Sequence, residues 1–104
     1  MLDKETEKAL LDLGLVNDYS DSIAQYYRLQ TMGYHILCVY KESGDCDTPS
    51  YLYMMDDGIV SSINTKHFRT AEDSIPHKKD LIRRYKALMV ELKRRELEQD
   101  FENE

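Results

Sequence analysis

Residues 34–63, YHILCVYKESGDCDTPSYLYMMDDGIVSSI, decide the fold, because here the apolar pattern changes from helical to alternating. Tyr34 to Lys41 has apolar residues on both sides of an extended chain: Ile36, Cys38 and Tyr40 on one, Leu37 and Val39 on the other. That pattern predicts a central strand covered on both faces. Residues 42–50 carry Gly, Pro, Ser and three acidic residues and read as a loop. Tyr51 to Met55 reads as a second strand, and Asp56-Asp57-Gly58 as a tight hairpin turn. Ile59 to Ile63 closes a three-stranded antiparallel meander.

Upstream, Asp3 caps a short helix over residues 3–13, with Leu2, Ala9, Leu10 and Leu13 on one face and Gly14 as its exit. Asp18 or Ser20 caps a second predicted helix running to about Met32, where Gly33 stops it. On a helical wheel Tyr19, Ile23, Tyr26, Tyr27 and Gln30 cluster, which gives that helix a tyrosine-rich buried face. Downstream, residues 64–74 form a polar connection anchored by Phe68. Asp73 or Ser74 then caps a last helix with Pro76 in its first turn, where a missing N–H costs nothing. Its apolar stripe is Leu81, Ile82, Tyr85, Leu88, Met89 and Leu92, whereas Leu97 and Phe101 point the other way. The expected architecture is a single α+β domain over residues 1–95, ordered α-α-β-β-β-α with helices covering the meander. Residues 96–104 are an acidic C-terminal tail, either frayed or the end of the last helix.

Charge is segregated along the chain. Residues 1–75 hold six Lys/Arg against thirteen Asp/Glu, residues 76–95 hold eight against two, and residues 96–104 add five acidic side chains. The sum is −6 over 104 residues. No apolar run approaches the ~20 residues of a membrane span, and the acidic, polar N-terminus lacks the form of a secretory signal. The reading is a cytoplasmic protein with no membrane partner. Cys38 is expected to be buried and Cys46 to sit in a polar loop, both as free thiols.

Chemical motifs are absent. His35, His67 and His77 have no metal-ligand spacing and no CxxC beside them, so no metal and no cofactor are expected. No nucleophile elbow or glycine-rich phosphate loop occurs, and the chain does not read as an enzyme. What is left is surface. Asp18, Asp21, Asp45, Asp47, Asp56 and Asp57 are the acidic residues expected to engage a basic surface of a protein partner, as an inhibitor or regulator of viral or mobile-element type would. Tyr51 and Tyr53 share a strand face and form an aromatic patch where that face is open. The alternative is nucleic-acid binding through Lys79, Arg83, Lys86, Lys93 and Arg94, which lie within about a 100° arc of the last helix, flanked by Asp80–Arg84 and Glu91–Arg95 pairs. A third reading is a homodimer, in which the apolar stripe of residues 75–92 overruns a short sheet and packs on a second copy.

Overall fold

The computed structural model describes residues 3–102; Leu2 and Glu104 lie outside it, as do the side chains of Phe101 and Glu102. Two helices and five strands follow in the order α1 (Lys4–Asp12), β1 (Leu15–Ser20), β2 (Ala24–Leu29), β3 (Leu37–Tyr40), β4 (Cys46–Met54), β5 (Val60–Phe68) and α2 (Ile75–Glu102), with a 3₁₀ turn at Glu72–Ser74. The strands form one antiparallel sheet in sequence order, β1-β2-β3-β4-β5. It is a single small α+β domain, and β3 is its central strand as the apolar run predicts.

Three expectations about the sheet change. The predicted helix over residues 18–32 is the β1–β2 hairpin. Asp21 Oδ1 accepts from the amides of Ile23 and Ala24 at 2.8 Å each, the same bonds an N-cap would make, but the chain then leaves into an extended strand. The period in β2 is two: Gln25, Tyr27 and Leu29 face the core, while Tyr26 and Arg28 face away. Aromatic and branched residues favour that pairing over a helix. The meander therefore has five strands, and the order α-α-β-β-β-α is corrected to α1-β1-β2-β3-β4-β5-α2.

The second correction lengthens β4 and β5 to nine residues each. Cys46, Thr48, Ser50, Leu52 and Met54 alternate inward, so the segment read as a loop is half strand, and Cys46 is fully buried. Cys38, expected inside, is half-buried on the opposite face, which leaves no disulfide geometry between them. The third concerns cover. Leu15, Tyr27, Leu29, Leu37, Val39, Cys46 and Leu52 pack with Leu10 of α1 and with Leu81, Ile82, Tyr85 and Leu88 of α2 in one core. The other sheet face has no helix on it, so β3 is covered on one side only.

α1 begins as expected, Asp3 accepting from the amide of Thr6 at 2.7 Å. α2 has no side-chain cap from Asp73 or Ser74; Ser74 bonds back to the carbonyl of Ala71 at 2.6 Å, and Thr70 Oγ1 accepts from the amide of Asp73. The apolar stripe of α2 is consumed by its own sheet. Nine-residue strands reach along the helix until Gly58 of the β4–β5 turn meets Leu92, so the surplus expected of shorter strands does not arise.

β3 and β4 pair at only two positions, Cys38↔Asp47 and Val39↔Cys46, and then diverge. α2 fills the divergence with polar side chains. Lys78, fully buried, donates from Nζ to the carbonyl of Ile36 and to Oγ1 of Thr48. His77 Nε2 donates to the carbonyl of Pro49 at 2.8 Å, and Arg84 Nε to that of Leu52 at 3.1 Å. These two acceptors match the two hydrogens of an uncharged amine. Burial pushes its pKa down to about 7 from the usual 10.5.

The sign follows from proton counts. Between pH 7 and 10.5 the unfolded chain binds a proton at Lys78 that the fold does not, so stability rises with pH across that window. The full span is on the order of 5 kcal/mol. Lys78→Met is expected to flatten that rise between about pH 7 and 9 relative to wild type in urea unfolding. An unchanged slope would mean the amine is charged in the fold.

Candidate functional site: the uncovered sheet face

The uncovered face is built by strand alternation. One row crosses all five strands: Tyr19 is opposite Tyr26, Tyr26 opposite Cys38, Cys38 opposite Asp47, and Asp47 opposite His67. Tyr40 sits beside this row, and Tyr51, Tyr53 and Ile63 extend the face along β4 and β5. Tyr19, Tyr51, Tyr53 and Ile63 are exposed. Arg84 lies over the Tyr51 ring at 5.0 Å, bracing it from α2.

The carboxylates at the β1–β3 end are held by neighbours. Asp18 accepts from Arg28 Nε and from His35 Nε2, the latter at 2.6 Å, and these bonds lower its pKa, Arg28 contributing most. Arg28 also gathers the carbonyls of Leu29, Gln30 and Met32 at 3.1 Å each, which fixes the β2–β3 connection. The rings of Tyr19, Tyr26 and His35 pack with centroids 5.4–6.4 Å apart, tilted by 35–46° to one another. Asp21 is lowered chiefly by the Ala24 amide and also meets the Tyr26 hydroxyl at 3.3 Å.

At the other side, His67 is clamped between two carboxylates. Its Nδ1 lies 2.7 Å from Asp47 and its Nε2 2.9 Å from Asp45. Asp47 also accepts from the Tyr40 hydroxyl at 2.6 Å, which lowers the carboxyl pKa and raises that of Tyr40. The Asp47 hydrogen bond, more than any other cause, raises the pKa of His67. At the split between β3 and β4 lies a cleft of about 420 Å³ lined by Tyr26, His35, Cys38, Asp47, Pro49 and Asn64. Asn64 holds a left-handed φ of 58° inside β5, a conformation asparagine tolerates, and it breaks the regularity of a long edge strand.

These groups do not assemble a nucleophile. Cys38 is flanked by Tyr26 and Tyr40, and burial raises its thiol pKa. Both His67 nitrogens face carboxylates, so neither is turned to the thiol. Among the described residues, no group of three His, Cys, Asp or Glu side chains is gathered to hold a metal ion, and no helix is long and apolar enough to cross a membrane.

The structure brings together Asp18, Asp21, Asp45, Asp47, Tyr51 and Tyr53 on or around this face. Asp56 and Asp57 are elsewhere, at the β4–β5 turn beside Leu92 and Arg95. Lys79, Arg83, Lys86, Lys93 and Arg94 are all exposed along the outer side of α2. Glu91 pairs with Arg95 at 3.1 Å as expected, but Asp80 pairs with Arg83 at 3.0 Å, because Arg84 is drawn to the Leu52 carbonyl. Sequence reasoning misses His35, His67, Tyr26 and Tyr40 as members of the site. The Asp45-Cys46-Asp47 alternation is the available signal, since period two places both carboxylates outside and the thiol inside.

Comparison with known proteins returns no family model, no curated relative and no solved structure that matches this chain. The geometry stands alone.

His67 is expected to titrate above 6.5 by NMR, and Asp47→Asn to move it back toward that value. Its folded pKa being raised, the clamp's stabilisation is complete below the unfolded value of about 6.5 and is lost as pH rises through the folded one. A wild-type value at or below 6.5 would show that the carboxylates do not hold a cation.

Proposed function

We propose that this protein is a small, acidic, non-catalytic interaction module whose uncovered sheet face engages a basic surface of a partner protein, as an inhibitor or regulator. The supporting observation is a sheet face without a covering helix that carries exposed Tyr19, Tyr51, Tyr53 and Ile63 beside four carboxylates. Asp18, Asp21, Asp45 and Asp47 outnumber the neighbouring Arg28 and Lys41. Strands of six, six, four, nine and nine residues, at ~3.4 Å per residue and ~4.8 Å apart, make a face of roughly 550 Å², the same order as the ~800 Å² one side of a standard interface buries.

The carboxylates suit this use although each has intramolecular partners. A carboxylate offers about four acceptor positions, and Asp18 and Asp47 each use two. Held in place, they lose little side-chain freedom when a lysine or arginine arrives. Tyrosine adds area with two rotatable angles and a polar tip, a combination enriched at binding centres.

The alternative, nucleic-acid recognition, draws on Lys79, Arg83, Lys86, Lys93 and Arg94 on the outer side of α2. One design separates the two. Benzoylphenylalanine placed at Tyr53 is expected to cross-link a protein through a segment rich in Lys and Arg. Reversing Asp18, Asp45 and Asp47 to Lys should lower the yield at least about tenfold, since buried charge pairs cost about 2 kcal/mol or more when broken. An unchanged yield after charge reversal would sink the acidic-face reading. Salt-sensitive binding of RNA or DNA that Arg83→Glu with Lys86→Glu abolishes would favour the alternative.

A further inference from the structure

Along the side of α2 away from the sheet runs a second stripe. Arg83, Ala87, Val90, Arg94 and Leu97 succeed one another at intervals of four, three, four and three residues, and all are exposed, Val90 at 71% and Leu97 at 53%. That is the spacing of a coiled-coil seam, with Ala87 and Arg94 at a, and Arg83, Val90 and Leu97 at d. The fold does not need these aliphatic side chains there, because Leu81, Ile82, Tyr85 and Leu88 already fill the core.

The flanks identify the occupant. Lys86 and Lys93 take g positions, and Glu91 and Glu98 take e positions. In a parallel pair each g residue faces the e residue five places on in the other helix, so Lys86 meets the partner's Glu91 and Lys93 meets the partner's Glu98. In an antiparallel pair g faces g and e faces e, which sets lysine against lysine and glutamate against glutamate. We infer that α2 docks on a second copy of this chain as a short parallel coiled coil over residues 83–98.

Its boundaries and strength follow from neighbouring residues. The preceding g position is Lys79, which would face the partner's Arg84, a like charge already committed to the Leu52 carbonyl in its own chain. The seam therefore starts at Arg83, whose guanidinium is compensated by Asp80 at 3.0 Å. Among the described residues Lys86 and Lys93 make no ion pair within the chain, and Glu91 gives one oxygen to Arg95. Arg94 at an a position weakens the pair, and such a charged residue also restricts register and strand number. Two heptads with charged layers at Arg83 and Arg94 make a weak, concentration-dependent dimer. The two uncovered sheet faces then point away from each other, which presents the proposed binding face twice.

Sedimentation equilibrium of the full chain tests this. The average mass is expected to rise from 12.3 kDa toward twice that value with concentration, and Arg94→Leu should tighten the dimer by at least about tenfold through added apolar burial. Lys86→Glu with Lys93→Glu should be monomeric, and so should Glu91→Lys with Glu98→Lys, each keeping its circular dichroism. Mixing those two variants should restore a dimer, because both sets of g–e contacts become complementary again. The inference is overturned by a chain that stays at 12.3 kDa in both wild-type and Arg94→Leu forms. It is also overturned by a dimer that survives either charge reversal, or by a mixture that stays monomeric. Failure here leaves the sheet-face reading intact, since no variant touches that face.

Discussion

A buried amine organises this structure. Where β3 and β4 part after two paired residues, the Ile36 carbonyl has no strand partner on β4 and needs a donor beside the core. Lys78 supplies it from α2, donating to the Ile36 carbonyl and to the Thr48 hydroxyl, and these two acceptors offset the desolvation of its amine. Its two neighbours in this role obey a simple match. His77 and Arg84 are seven residues apart on the helix, a rise of ~10.5 Å at ~1.5 Å per residue. The carbonyls they reach, Pro49 and Leu52, are three residues apart on β4, ~10 Å at ~3.4 Å per residue. The helix acts there as a substitute strand, reading the edge of β4 with side chains instead of backbone.

That seating decides which sheet face is left uncovered. With α2 closing the split and Tyr85 donating to the Thr31 carbonyl at 3.1 Å, both helices are committed to one side. The opposite side keeps its tyrosines half in water, with carboxylates fixed by Arg28, His35, His67 and Tyr40. An open sheet of this kind would be an aggregation hazard if it were flat and aliphatic. Here charged groups at one end, the αL kink at Asn64 and the phenolic hydroxyls restrict what can pack on it, which is a condition for selective rather than indiscriminate contact.

Much of the fold is legible in the amino-acid order, and where that legibility fails the causes are physical. The first helix, the central strand, the Asp-Asp-Gly turn and the last helix rest on local signals that agree with one another. Residues 18–32 mislead because an Asp that caps a helix and an Asp that closes a turn accept the same amides, and a cluster of tyrosines satisfies a period of 3.6 as well as one of 2. Cys46 to Ser50 mislead because Pro49 and the flanking aspartates resemble a loop, although Pro is permitted on a strand that lacks a ladder partner on one side. Lys78 is invisible: a lysine on an amphipathic helix reads as solvated, and only the divergence of two strands distant in sequence puts it inside. The acidic site is half legible. Its aspartates are in plain view, while the histidines and tyrosines that hold them come together only through register.

α2 also explains why its charge pattern resembles a plain solvated ridge. Three jobs share its circumference: an apolar stripe for the core, the His77–Arg84 flank for β4, and the outer side with its alternating basic and aliphatic residues. A helix with one buried stripe would be strongly amphipathic. Dividing the surface three ways lowers that contrast, because Lys78 lies among the apolar residues and Val90 and Leu97 lie among the polar ones. The two kinds of misplaced residue have opposite meanings. A lysine inside marks backbone that has lost its strand partner, whereas an aliphatic side chain outside, at coiled-coil spacing between matched lysines and glutamates, marks the surface proposed to meet a second copy.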